Sequence, residues 1–405
     1  MRRVVITGFG IVSCLGNDPD SVTQALLAGR SGVRHQPEYA ELGLRSQVAA
    51  VPDVSGEAPI ERKTRRFMGD AAVYAYHAAR HALDDAGLRP QDIAEPRTGL
   101  IVGSGVGSLF EHHAAIQTFR ARGLDKIPPY VVPRLMGSTT SGCLSTAFGI
   151  QGASYSITSA CASGAHCIGH GAELIQLGKQ DRVIVGGAEE VRWTSTVLFD
   201  AMGALSTAVH DATASRPFDA TRDGFVIAGG AGILVLEALD TALARGARIR
   251  GELVGYGACS DGEDMVSPSP QGACRAMQMA LREAGGTVDY LNAHATSTRV
   301  GDLSELEAAR AAFAGLDLPL PPISSTKGLT GHPIAAAGAH EAIYALLMLE
   351  HGFLPGCAHI ETLDPACADY PLLLATERRR VDTILSNSFG FGGANASLIF
   401  RRYAR

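Results

Sequence analysis

Cys161 stands in the run SITSACASGAH, residues 156–166, as the one soft nucleophile among small neighbours. A free cysteine packs well as a small buried hydrophobe. Small neighbours also leave room for a substrate to reach a thiolate, the reactive form in nucleophilic catalysis. Cys161, Ala165, Ile168, Ala172 and Ile175 fall on one face of a helix, with Thr158 and Ser159 as candidate caps. A thiol at a helix N-terminus meets unpaired N–H groups and the macrodipole, which predicts a lowered pKa.

Two polar islands lie more than a hundred residues further on. NAHATST (292–298) carries His294, and STKGLTGHP (325–333) carries Lys327 and His332. Pro333 fits a first helical position and pushes His332 into a capping place, facing a helix N-terminus. A neutral imidazole held there can donate a hydrogen bond to a developing oxyanion. The helix predicted from Ile334 to Glu350 is apolar nearly all round, yet it contains Glu341. A buried carboxylate needs a partner. Lys327 is the nearest polar candidate, and a bound cation is the alternative. His166 and His170 at helical spacing and the pair His112-His113 could suggest a metal, but no acid or cysteine completes a zinc pattern, so no metal is expected.

Short apolar runs ending in small-residue loops must position these groups. Val4–Thr7 leads to GFG, Leu100–Val102 to GSGVGS, Val183–Val185 to GGAEE, Tyr290-Leu291 to NAHATST and Thr383–Leu385 to SNSFGFGG. Such runs alternating with helices predict an α/β fold with mainly parallel sheets, its ligand site in the loops at strand carboxyl ends. GSGVGS lacks the lysine of a phosphate-binding loop. Gly164-Ala165-His166 echoes Gly338-Ala339-His340, and GGAGILVLE (229–237) echoes GGANASLIF (392–400). The echoes predict two related halves, 1–248 and 249–405, each contributing a sheet.

With 405 residues, 46% hydrophobic and 19% charged, the chain reads as a soluble globular protein. A net charge of −6 without a long basic block argues against nucleic-acid binding. No apolar run is long enough to span a membrane. The basic-apolar start MRRVVITGFGIVS has no cleavage site of the signal-peptide kind. The eight cysteines show no C-x-x-C spacing, which fits reduced thiols in the cytoplasm.

Taken together, SACASGAH, NAHATST, TKGLTGH and SNSFGFGGAN resemble the β-ketoacyl-[acyl-carrier-protein] synthases, condensing enzymes of the thiolase fold. The resemblance covers essentially the whole chain, and FDAMGALST (199–207) and RDGFVIAGG (222–230) look most like the type I branch. It implies a layered αβαβα fold and no bound cofactor, the phosphopantetheine arm being carried by acyl carrier protein. It implies that Cys161 takes an acyl group as a thioester, and that the resulting acyl-enzyme condenses with malonyl-carrier in fatty acid elongation. His294 and His332 would hydrogen-bond the malonyl thioester oxygen, and the backbone N–H groups of Cys161 and Phe391 would form an oxyanion hole. Lys327 and Glu341 would orient the histidines. Thr296 and Thr298 would hold the pantetheine arm, Phe389 and Phe391 would form a glycine-flanked gate, and Phe199 and Val106 would touch the acyl tunnel. Arg62, Lys63, Arg65 and Arg66, with Arg120, Arg122 and Lys126, would dock the acidic carrier, and the family implies a homodimer.

The chain departs from the family pattern at Ala295 and Ala335, where glycine is usual, at Arg299 for proline and at Pro333 for serine. These changes crowd the histidine loops and are expected to add a cation near the malonyl mouth. Two alternatives are a ketosynthase of a specialised fatty acid or polyketide pathway and a non-catalytic chain-length-factor subunit. The second typically lacks the cysteine, so Cys161 counts against it. A degradative thiolase would want a second catalytic cysteine where this chain has histidines.

Overall fold

The computed structural model describes residues 1–404. Ten strands form one mixed sheet: β1 (Val4–Val12), β2 (Thr98–Gly103), β3 (Ser154–Tyr155), β4 (Arg182–Glu189), β5 (Gly230–Ala238), β6 (Gly251–Ser260), β7 (Tyr290–Asn292), β8 (Ile323–Ser324), β9 (Thr383–Gly390) and β10 (Ala394–Arg401). Their order is β8-β7-β9-β10-β6-β1-β5-β4-β2-β3. The arrangement is the same read outward from the centre in either direction. In each half the outer strands pair in parallel and the inner ones antiparallel. The halves join where β1 meets β6 through Val4–Leu253, Val5–Glu252 and Ile6–Gly251.

Seven helices cover the strands and support the site: α1 (Asp70–Asp85), α2 (Leu109–Arg122), α3 (Ser163–Gln176), α4 (Trp193–Ala201), α5 (Pro270–Ala284), α6 (Arg299–Ala314) and α7 (Ala337–His351). α3 and α7 lie together between the two half-sheets, in a core with Ile168, Ile175, Ile343, Leu346 and Leu347. α1 covers the outer face of the first half-sheet, and α5 with α6 covers that of the second. The result is five layers in αβαβα order, the thiolase architecture. Every residue of α7 from Ala337 to Leu349 is buried, as its composition predicts.

The strands outrun their apolar sequence cores. β1 does not stop at Thr7 but continues through GFG to Val12, because helix α1 crosses there. A β-carbon on Gly8 would stand 2.5 Å from the Ala82 carbonyl, and one on Gly10 would strike that of Ala78. The second half repeats the device: Gly255 and Gly257 of β6 lie under the carbonyls of Ala280 and Ala276 on α5. β9 likewise runs on through Ser386–Gly390, paired to β10 as far as Gly390–Ala394, where a loop was expected. Small residues here serve close packing of helix on strand rather than a turn.

Candidate active site

Cys161 sits just ahead of α3, on an elbow whose preceding residue, Ala160, has φ 49°. That left-handed conformation costs a non-glycine residue about 1–3 kcal/mol, and it turns the sulfur out of the chain path. Neither expected cap caps the helix. Thr158 Oγ1 donates to the Ser104 carbonyl at 2.9 Å, and Ser159 Oγ pairs with His166 Nδ1 at 2.6 Å. Ser163 Oγ ties the elbow instead, accepting from Ser159 N–H at 2.9 Å and donating to the Ala160 carbonyl at 2.7 Å.

The thiol is not acidified, contrary to the expectation from the helix terminus. Burial pushes its pKa up to about 12, against the lowering pull of Lys327 and of the Cys161 and Phe391 N–H groups. Both N–H groups face the resting sulfur. Their approach depends on Gly390, whose missing β-carbon would lie 2.8 Å from the Ser159 carbonyl and 3.1 Å from Cys161 N.

The two histidines meet the cysteine in one cavity of about 310 Å³, lined also by Phe199, Phe225, Thr296, Thr298, Ile334, Phe389 and Phe391. The imidazoles of His294 and His332 lie edge to face with centroids 5.1 Å apart. Phe389 packs 5.9 Å from His294, and Phe225 packs 5.4 Å from His332 and 5.5 Å from Phe199. Burial first, and then the nearby Lys327 charge, hold both imidazoles well below their ordinary pKa, so both are neutral at pH 7. His294 Nδ1 and both ring nitrogens of His332 are buried without a partner among the described residues. Unpaired buried donors of this kind are poised for a ligand oxygen.

Lys327 and Glu341 form the buried pair that the α7 sequence demanded, Nζ on Oε1. Burial still lifts the Glu341 carboxyl to about 7 despite the lysine. The loop carrying His294 hangs on α6. Glu305 accepts from the N–H groups of His294 at 2.8 Å and Ala295 at 2.7 Å, and from Asn387 Nδ2 at 2.9 Å. Asp302 accepts from Ser297 N at 3.1 Å and pairs with the buried Arg222 at 3.2 Å. Thr296 and Thr298 place their hydroxyls 3.3 Å apart at the cavity wall.

His332 is fixed through its backbone, donating to the Val226 carbonyl at 2.8 Å and accepting from Ala228 N–H at 3.1 Å. Pro333 is not the first helical residue. It caps a short 3-10 turn, Ile334–Ala336, and α7 starts only at Ala337. Within that turn Ile334 adopts φ 44°.

Sequence reading missed Glu305, Asp302, Arg222, Phe225 and Glu189. Asp302 and Glu305 share the buried stripe of α6 with Leu306, Ala309 and Phe313, so carboxylates at apolar helical positions were the available signal. Two expected residues fall outside the cavity. Val106 is 45% exposed and does not line it, because the loop after β2 carries that side chain outward. Arg299 is exposed at the start of α6, its Nε on the Arg222 carbonyl at 3.2 Å, so it adds no charge to the wall. Arg62, Lys63 and Arg65 form a short helix, followed by Arg66; Arg120 and Arg122 end α2, and Lys126 follows. Arg66 lies over the Tyr130 ring at 4.9 Å.

Residues 1–242 match the family described as beta-ketoacyl synthase, N-terminal domain, and residues 250–361 match beta-ketoacyl synthase, C-terminal domain. A 3-oxoacyl-[acyl-carrier-protein] synthase 1 of Haemophilus influenzae is 51% identical, the match covering 100% of both chains. The crystal structure of a beta-ketoacyl synthase from Burkholderia phymatum superposes with a TM-score of 0.92 at 38% identity, covering 100% of both chains. A type II polyketide ketosynthase, solved in complex with its acyl-carrier protein and bound to a hexaketide, gives 0.87 at 30% identity, again with 100% of both chains covered.

Proposed function

The chain belongs to the β-ketoacyl synthase family, and from that membership we propose that it elongates fatty acyl chains by decarboxylative condensation with malonyl-acyl carrier protein. One observation carries the reading: the N–H groups of Cys161 and Phe391 converge on the Cys161 sulfur in a cavity shared with two neutral, unpartnered histidines.

In the first step the Cys161 sulfur attacks the carrier-bound thioester. The carbonyl oxygen takes over the two N–H donors as it becomes an oxyanion. The pantetheine sulfur leaves as a thiol with the proton Cys161 gives up. Malonyl-carrier then binds with its thioester oxygen at His294 and His332, whose neutral rings donate to the charge that builds as carbon dioxide departs. The enolate carbon attacks the acyl-cysteine, the carbon–sulfur bond breaks, 3-oxoacyl-carrier forms, and the departing Cys161 thiolate takes a proton from solvent to regain its thiol. Lys327, tied to Glu341, supplies a fixed positive charge beside all three groups. Thr296 and Thr298 hold the pantetheine arm, Phe389 and Phe391 gate it, and Phe199 touches the acyl chain. No cofactor beyond the carrier's own arm is required.

The halves divide this work near residues 245–250, the first bringing the nucleophile and the second the histidines, lysine and gate. The carrier docks at Arg62, Lys63, Arg65, Arg66, Arg120, Arg122 and Lys126, an exposed basic patch suited to an acidic partner. A homodimer is supported by the exposed two-residue edge strand β3 and by Ile116, Phe119, Leu124 and Val132, which are large, apolar and exposed. All eight cysteines are free thiols, which supports a reducing cytoplasm, and no helix among the described residues is long and apolar enough to cross a membrane.

The test is intact-mass spectrometry after incubation with acyl-carrier, followed by addition of malonyl-carrier. Acyl mass on Cys161 and then 3-oxoacyl-carrier are expected. Turnover with Cys161 never acylated would overturn the reading. Product from this chain alone excludes the partner-subunit alternative.

A further inference from the structure

The condensing reading leaves one buried acid without a task. Glu189 ends β4 and is 3% exposed. Its Oε1 accepts from Ser104 Oγ at 3.1 Å and its Oε2 from Gly105 N–H at 2.8 Å, and the Ala335 N–H faces the carboxyl group from a second loop, lowering its pKa. No cation pairs with it among the described residues. Two donors of the loop after β2 therefore hold one carboxyl group, and an N–H of a second loop faces it.

What those donors belong to is informative. Ala335 follows Ile334, the β-branched residue held at φ 44°, and Ile334 lines the cavity between Cys161 and His332. A β-branched side chain in that region is a genuine outlier that its surroundings must enforce. The Ala335 carbonyl is pinned on the other side, lying where β-carbons of Gly164 (2.7 Å) and Gly187 would fall. Gly105 closes the clamp: its β-carbon would stand 2.5 Å from Glu189 Oε2 and 3.4 Å from Ile334 Cγ2. The His332 ring has no partner of its own, so only its backbone aims it. One anchor is the strand-like pairing to Val226 and Ala228; the other is this turn.

We propose that Glu189 is a positioning residue for condensation, its carboxyl group holding the strained Pro333–Ala335 turn and, through it, the His332 imidazole. Direct activation of the nucleophile is not its task, since a negative charge on Glu189 raises the Cys161 thiol pKa instead of lowering it. The inference rests on the condensing reading above.

Glu189→Gln keeps the shape but sets an amide NH₂ against backbone donors. Malonyl-carrier decarboxylation and condensation should fall about 10- to 100-fold in kcat, the cost of misplacing a catalytic group by a fraction of an ångström to an ångström. KM and acyl transfer to Cys161 from a short-chain carrier should stay near the parent values. Glu189→Asp should recover part of the loss. Ile334→Gly relaxes the backbone and loosens the same turn, so it should split the two partial reactions the same way, beside a Tm loss from its emptied core position. Equal loss of acylation and decarboxylation with a lowered Tm would mean a merely structural acid and overturn the proposal, as would unchanged decarboxylation. Should Glu189→Gln not fold, Ile334→Gly decides alone. A parent enzyme that never acylates Cys161 sinks the condensing reading itself, whereas a working parent with no split in the variants sinks only this inference.

Discussion

The heads of α3 and α7 are two versions of one elbow. Ala160 and Ile334 each stand four residues ahead of a Gly-Ala-His triplet, and they adopt φ 49° and 44°. The next residue is Cys161 in the first and Ala335 in the second. Strands in matching places face them: β9 ends at Gly390 beside Cys161 N–H, and β4 ends at Glu189, whose carboxyl group the Ala335 N–H faces. Where the strand ends in glycine, the backbone N–H is left open, as the proposed oxyanion role requires. Where it ends in glutamate, the same N–H faces a carboxyl group, and in the proposed role the elbow mounts His332. On the proposed reading, two matching elbows serve as a reactive copy and a supporting copy, told apart by a few side chains.

Making the two elbows alike should have the largest effect. Cys161→Ala removes the nucleophile and should cut condensation at least about 10³-fold, while carbon dioxide release from malonyl-carrier persists because His294 and His332 remain. Radiolabelled carbon dioxide beside product formation separates the two. A smaller blow falls on the strand end. Gly390→Ala puts a methyl 3.1 Å from Cys161 N and 2.8 Å from the Ser159 carbonyl, and should slow acyl transfer about 10- to 100-fold with decarboxylation spared. That pattern is the mirror image of the one expected from Glu189→Gln.

The smallest difference lies one turn into the helices. His166 Nδ1 is paired with Ser159, whereas His340 is fully enclosed, its Nε2 unpartnered and its pKa lowered to about 4 by burial. The unfolded chain titrates near 6.5. Below that pH it takes up a proton that the folded chain refuses until about 4, so stability is present above 6.5 and drains away on acidification. At pH 5 the loss is about 2 kcal/mol. His340→Gln should flatten this limb in urea unfolding at pH 7.5 against pH 5; an unchanged slope would assign it to other groups.

Most of the site was legible because its residues violate their surroundings. A cysteine among small residues, histidines in glycine-flanked loops and an acid inside an apolar helix each stand out from sequence. The α6 acids were equally anomalous on a buried stripe and could have been found by the same rule. Glu189 and Glu190 were visible after an apolar run, but nothing local said which atoms they would meet. The elbows themselves could not be read, since alanine and isoleucine give no hint of a positive φ. The thiol's pKa was misjudged because a helix terminus is a local feature, whereas the burial that outweighs it comes from segments remote in sequence.

The resting sulfur faces the two N–H groups proposed to bind an oxyanion, and this bears on covalent inhibition. A reagent that alkylates Cys161 leaves a thioether, a poor acceptor, facing two buried N–H groups. Each unsatisfied buried donor costs about 1–3 kcal/mol. A reagent that acylates the sulfur brings a carbonyl oxygen two bonds away, within reach of both. Warheads that leave a carbonyl next to sulfur should therefore be retained in preference to alkyl ones of equal reach, a bias set by two amides rather than by the reactivity of the thiol.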